Sequence, residues 1–303
     1  MAVARVTTQM ISDRIMRDLR FQTRRLLSLE RQLATGYRVN TPSDDPLAAR
    51  RAIASRGEIA NNEQYLRNIT NVGPFLTESE TALSSVIDIL QRTNELTIQG
   101  INETNAQAQR DEIANEVDQL LESTLNQANS ETAGRYVFAG SRTRQEPFEA
   151  TRNAAREITG VNYVGNSEAI DIEISGDVTL PINVTGDEAF TAGVDIHQTL
   201  INIRDNLRAG NVSGLENELQ NVHDGIEQTN IVRSGIGAIQ NRLDRVVNDL
   251  DIVNLQLEGV ISENIDADFA EVIVEMNAQT NAFQAALNAS GRIIQPSLLN
   301  FLA

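Results

Sequence analysis

Few residues in this 303-residue chain are equipped for chemistry: the adjacent carboxylates Asp44 and Asp45, the histidines His197 and His223, the glycines of Gly235-Ile236-Gly237, and Asp266-Ala267-Asp268. Neighbouring carboxylates could share general acid and base work. Flanked by prolines in Thr41-Pro42-Ser43-Asp44-Asp45-Pro46, however, they read as a helix start, with Asp45 accepting backbone N–H bonds and Pro46 at the first helical position. No carboxylate pattern makes the two histidines a metal pair, so structural or surface roles are expected. Gly235-Ile236-Gly237 lacks the third glycine of a dinucleotide loop and lies inside a helical pattern. Asp266-Ala267-Asp268 opens like a calcium loop but lacks the third ligand and the glycine; it reads as a helix start, with Asp266 as the cap. Cysteine is absent, which removes disulfides and thiolate metal sites. Nothing pairs a nucleophile with a base, so the expectation is a protein that is not an enzyme and uses no cofactor or metal.

What the chain does carry is apolar periodicity. Ile15, Leu19, Gln22, Leu26, Leu29 and Leu33 are spaced 4, 3, 4, 3, 4. Toward the other end Ile236, Ile239, Leu243, Val246, Leu250, Val253, Leu257 and Val260 keep the same alternation, and a further register runs through Phe269, Ile273, Met276, Thr280, Phe283, Leu287, Ser290 and Ile294. Such seams gain nothing until another helix covers them, and each Leu, Ile or Val buried is worth roughly 1.5–3 kcal/mol. Charge indicates the pairing. Residues 1–56 hold eleven Arg against five acids, a net of +6, and residues 244–303 hold two Arg against nine acids, a net of −7. Opposite charges beside apolar seams favour pairing of the two ends over self-pairing of either.

Composition narrows the function classes. The formal charge is −17 and all 25 basic residues are Arg, so non-specific nucleic-acid binding is not expected. Aromatics are 4% with no Trp, thin for a compact enzyme core and more usual in elongated helical proteins. No apolar run approaches the ~20 residues of a membrane span. Six charged residues within the first 20 leave no room for a cleavable signal peptide, which leaves a cytoplasmic protein or one exported by a route needing no such signal.

Along the chain, helices are expected from about Asp13 to Ala34, stopped by Gly36; from Pro46 to about Asn71, broken at Gly73-Pro74; then on Leu76, Leu83, Val86, Leu90 and Thr97 to Gly100; and from about Gln107 to Asn129. Alternation in Arg135-Tyr136-Val137-Phe138-Ala139-Gly140, in Ile170, Ile172, Ile174, and in Val178, Leu180, Ile182, Val184 predicts strands, the last two joined by a turn at Ser175-Gly176-Asp177. Helix returns at Asp195 to Ala209, and Ser213 with Glu216 reads as a capping box for the next helix. The last helix is expected to end at Pro296, before the apolar tail Leu298, Leu299, Phe301 and Leu302. The fold class is mainly α: an elongated rod of paired N- and C-terminal coiled-coil helices (1–44 with 264–303), a helical rod domain (45–134 with 195–263) and a small β-rich insert (135–194).

Leu29-Glu30-Arg31-Gln32-Leu33-Ala34-Thr35-Gly36-Tyr37-Arg38-Val39-Asn40, followed by Pro42-Ser43-Asp44-Asp45-Pro46, resembles the N-terminal signature of the bacterial flagellin superfamily. Leu90-Gln91-Arg92-Thr93-Asn94-Glu95-Leu96, Gly134-Arg135-Tyr136-Val137-Phe138-Ala139-Gly140 with Pro147-Phe148, and Gly237-Ala238-Ile239-Gln240-Asn241-Arg242-Leu243 extend the match. The Pro-Ser-Asp-Asp-Pro form is more similar to the members that join hook to filament than to filament flagellins, where an Ala/Lys-containing version is usual. The resemblance implies a secreted structural subunit of the flagellum, exported unfolded by the type III route and held beforehand by an export chaperone at its C-terminal heptads. It implies a ring of about eleven copies contacting a neighbouring hook-associated protein and flagellin; the alternative is a short flagellin that forms the filament itself. The expected assembly interface comprises Ile15, Leu19, Leu26, Leu29 and Leu33, the faces around Leu90 and Leu243, then Leu250, Val253 and Leu257, and Phe269, Ile273, Met276, Phe283 and Leu287. Arg92, Leu96 and Glu116 fall where flagellins present a surface to an animal immune receptor, though packing against neighbouring subunits is the preferred role.

Overall fold

The computed structural model describes residues 8–102 and 106–299. Helices α1 (Thr8–Thr35), α2 (Pro46–Ile101) and α3 (Gln107–Ala128) come first. Strands β1 (Glu131–Thr132), β2 (Arg135–Tyr136), β3 (Phe148–Arg152), β4 (Ile158–Tyr163), β5 (Asp171–Ser175) and β6 (Val178–Pro181) pair in sequence order as three antiparallel hairpins. Helices α4 (Gly186–Phe190), α5 (Ile196–Ala209), α6 (Val212–Ile265) and α7 (Phe269–Leu299) complete the chain. Two compact units result, one of residues 62–251 and one of residues 1–61 with 252–303.

In the 62–251 unit the hairpins and helices share one core. Leu76, Leu83 and Leu90 from α2, Val117 and Leu121 from α3, and Leu200 and Leu207 from α5 join Phe138, Phe148, Ile158 and Ile174 in a single apolar cluster. The β-rich segment is thus continuous with the helical packing, and the chain divides within α2 and α6 instead of at its edges. Phe138, Phe148, Phe190, Tyr163 and the buried His197 stack with ring centroids 5.1–5.5 Å apart. Two glycines make room for this cluster. A Cβ on Gly186 would lie 2.6–2.8 Å from the Tyr163 and Phe148 rings, and one on Gly140, at φ +64°, would meet the Asn166 carbonyl oxygen at 2.1 Å.

Local structure departs from the sequence expectation at several points. The α2 helix runs through Gly73-Pro74 without ending. Proline there costs one backbone bond and a clash, about 3 kcal/mol; Val72, Phe75 and Leu76, all buried, return more than that at roughly 1.5–3 kcal/mol each. Only Arg135 and Tyr136 of the expected 135–140 strand pair with a partner, because Val137, Phe138, Ala139 and Gly140 are all buried in succession where a half-buried strand would alternate. The cap of α6 is Asn211, whose Oδ1 accepts from Gly214 N at 3.1 Å, so the capping box at Ser213 does not form; Gly210, left-handed at φ +64°, ends α5 one residue before it. Helix α5 begins at Ile196, one residue after the expected start, because Asp195 is its cap, accepting from Gln198 N at 2.9 Å.

In the terminal unit Gly36, at φ +77°, ends α1, and its carbonyl accepts from Ala267 N at 2.8 Å. That bond sets the end of α1 beside the start of α7, so the two helices pack antiparallel. Asp268, not Asp266, caps α7, taking the N–H groups of Ala270 (2.8 Å) and Glu271 (3.2 Å) on Oδ1. Asp266 instead takes the Ser262 hydroxyl and bridges Tyr37 through its backbone. Helix α7 continues to Leu299, past the expected stop at Pro296. Of the apolar tail, Phe301 and Leu302 lie outside the described residues.

Candidate assembly surface

The 41–46 segment settles its own role. Asp45 Oδ1 accepts from Leu47 N at 3.1 Å and Ala48 N at 3.0 Å, while Asp44 Oδ2 accepts from Asn40 N at 3.1 Å and Thr41 N at 2.8 Å. The Ala48 N–H holds the Asp45 carboxyl below the usual carboxylate range, and the Thr41 N–H does the same for Asp44. Both are ionised caps, occupied by the backbone. Beside them Val39, Ala48, Ala49, Ala52 and Ile265 form the terminal unit's own small core, pinned by Arg38 N donating to the Ile265 carbonyl at 2.7 Å.

That core is far smaller than the apolar surface around it. Among the described residues eighteen large hydrophobic side chains are exposed, and fifteen of them belong to the terminal unit, which holds little more than a third of the chain. On α1 Ile15, Leu19, Gln22, Leu26, Leu29 and Leu33, the seam expected from sequence, are all covered, whereas Met16, Phe21 and Leu27 are not. On α7 the covered stripe is Val272, Met276, Gln279, Phe283, Ala286 and Ser290, again spaced 4, 3, 4, 3, 4. Phe269, Ile273 and Leu287, which the sequence reading placed in the paired seam, are 52%, 45% and 46% exposed. Met276, Thr280, Phe283 and Ser290 of the expected register are covered, so that register is split between the packed and the open face, and spacing alone cannot tell which of its members pack.

The stripe on α6 changes face in the same way. Ile236, Leu243 and Leu250 are buried in the core of the 62–251 unit, whereas Val253 and Val260 in the terminal unit are 41% and 40% exposed and Leu257 is half-buried. Leu255, at 70%, and Val274, at 69%, are the most exposed of all. A groove of about 290 Å3, lined by Tyr37, Val39, Ala49, Ile53 and Ile265 among others, adds a concave feature. Of the expected interface residues, Leu29, Leu90, Leu243 and Leu250 are buried in the chain's own cores and are spent on folding. Leu96 is also buried at 1%, while Arg92 pairs with Glu116 at 2.8 Å and Glu95 at 2.9 Å on the surface above it.

Charge is partitioned along the same boundary. The terminal unit carries twelve Arg and twelve acids, a net of zero, and the 62–251 unit thirteen Arg and thirty acids, which is the whole −17. Across α1 and α7 the opposite signs meet in the Arg25–Glu275 pair. Ten of the fifteen, among them Phe21, Leu27, Ile53, Leu255 and Val274, lie outside the seams expected from sequence. Their signal was present as apolar residues lying off every seam.

Comparison with known proteins places the chain. Residues 6–143 match the bacterial flagellin N-terminal helical region, and residues 219–302 the bacterial flagellin C-terminal helical region, together about three quarters of the sequence. Flagellar hook-associated protein 3 of Escherichia coli is 31% identical over 187 residues, covering 61% of this chain and 56% of that protein, so the chain spans little more than half the length of this relative. Among solved structures, a putative flagellar hook-associated protein from Vibrio parahaemolyticus superposes with a TM-score of 0.65 at 21% identity, over 74% of this chain and all of that one. The flagellar junction protein of Legionella pneumophila gives 0.58 at 16%, over 70% of this chain and all of that one. At these identities the structures establish the shared fold.

Proposed function

The chain belongs to the bacterial flagellin family, and from that premise we propose that it is a structural component of the flagellum, a junction protein connecting hook to filament, assembled through its terminal unit. The observation that carries this reading is the concentration of uncovered apolar surface, fifteen side chains in a unit with no net charge. Covering what is exposed of them is worth on the order of 10–20 kcal/mol per copy, comparable with the stability of a whole domain. Neutrality lets copies approach by this unit without net repulsion. The 31% identity to a hook-associated protein and the Pro42-Ser43-Asp44-Asp45-Pro46 signature favour the junction over the filament.

Its partners are other flagellar proteins: further copies in a closed ring of about eleven, a hook-associated neighbour on one side and flagellin on the other. An export chaperone covering the open face of α7 before secretion fits the same surface, and the protein then acts outside the cell. A short flagellin is the second reading, supported by matches that extend to flagellin itself. A deletion strain separates them. Hooks without filaments and flagellin shed into the medium are expected for a junction protein; self-polymerisation of the purified chain into long tubes would favour the flagellin reading.

A further inference from the structure

The 62–251 unit is strongly acidic, yet one of its loops is basic, unpaired and held rigid. Residues 141–145 follow the buried run Val137-Phe138-Ala139-Gly140 and border a depression of about 410 Å3 lined by Ser141, Arg142, Thr143, Arg144 and Gln145. Thr143 is turned inward at 9% exposure, and its carbonyl accepts from Tyr136 N at 2.8 Å. Ser141 N donates to Asn166 Oδ1 at 2.8 Å, and Gln145 N to the Arg142 carbonyl at 3.0 Å. Glu168, the nearest acid bonded to the loop, is taken up by the Ser141 hydroxyl (2.6 Å) and Asn166 Nδ2 (3.1 Å). Arg142 and Arg144 are exposed on either side of Thr143 with no carboxylate bound among the described residues, and Arg135 stands beside them, its Nε 3.4 Å from Thr143 Oγ1. A loop fixed before contact loses little entropy on binding, and guanidinium is the side chain suited to carboxylates.

The same unit carries the complement. On the β5–β6 hairpin Ile174 and Leu180 point into the core, so Asp171, Glu173, Thr179 and Pro181 share the outward face, with Asp177 and the exposed Val178 at the tip. None of these three acids has an ion pair among the described residues. Two different patches of opposite sign on one subunit make a head-to-tail contact, which closes into a ring when copies are related by rotation.

We propose that the Arg142/Arg144 loop of one copy docks on the acidic outward face of the β5–β6 hairpin of the next copy, a lateral contact separate from the terminal unit. This rests on the reading that copies pack side by side in a ring. The test uses full-length chains secreted and assembled in cells. Because the protein has no cysteine, Gln145→Cys with Thr179→Cys should give a ladder of disulfide-linked oligomers in isolated flagella and none with either substitution alone. Arg142→Glu with Arg144→Glu should cut the ladder at least tenfold, and adding Asp171→Arg with Glu173→Arg should restore it. Attached filaments without any ladder would overturn the contact while leaving the junction role standing; loss of filaments in the deletion strain's complemented wild type would instead strike the junction role. A ladder unaffected by the Arg substitutions, or one lost and not restored by the reciprocal change, would also overturn it.

Discussion

Arg204, 2% exposed, sets its Nη1 3.0 Å from the Asp118 carboxylate, tying α5 to α3 from within the packing of the 62–251 unit. The same nitrogen donates to the Ile158 carbonyl at 2.7 Å and Nε to Asp205 at 2.8 Å, so helix, helix and strand β4 converge on one guanidinium. Burial by itself lowers the pKa of this group, and the bonds to Asp205 and Asp118 more than reverse that, keeping it charged.

Arg204→Ala should therefore destabilise the unit by about 2–4 kcal/mol, since it strands Asp118 and a carbonyl without their donor. Chemical denaturation measures it. Arg204→Met with Asp118→Leu should recover most of the loss, because a buried pair replaced as a pair is tolerated.

His197 supplies a pH signature. Enclosed by Phe148 and Phe190, it is pushed down to about 4 by burial, against an ordinary 6.5. The unfolded chain binds the proton first, so the stability held above pH 6.5 is lost as pH falls from 6.5 toward 4, up to about 3 kcal/mol. His197→Phe should flatten that portion of the curve relative to the parent, with the carboxylate contributions common to both.

Gly186→Ala should cost about 1–3 kcal/mol by driving a methyl into the Tyr163 and Phe148 rings. Gly176→Ala, where a Cβ meets nothing within 4 Å, is the control and should fall within about 0.5 kcal/mol of the parent. Thermal melts of the two variants compare them directly.

Much of this was legible in the sequence because pattern and packing coincide. The α1 seam is covered at every position read from its 4-3 spacing, and Gly36, Asp45 and Pro46 act where their chemistry puts them. Periodicity failed where two answers share one pattern. On α7 the expected register and the packed one share Met276, Phe283 and Ser290, and only the position of α1 decides between Val272 and Ile273. Pro74 looks like a break in sequence because its local cost is visible there and the burial of Phe75 and Leu76 is not. The β3–β4 hairpin escaped notice because a bulge at Thr151/Arg152 and Gly160 interrupt its alternation.

Leu255→Asp and Leu287→Asp should each leave the isolated chain as stable as the parent within about 0.5 kcal/mol, because both residues are exposed in it. Filament attachment, scored by electron microscopy of complemented cells, should be lost. Leu250→Asp is different in kind: at 7% exposure it should unfold the 62–251 core as well.

Amide hydrogen exchange of the full chain, free at high dilution and assembled in isolated flagella, tests the central claim most directly. The terminal unit has a small core and much uncovered apolar surface, so α1 and α7 should exchange at least a hundredfold faster in the free chain than when assembled, while α3 and α5 are protected in both. Equal protection of α1 and α7 in the free and assembled protein would contradict it.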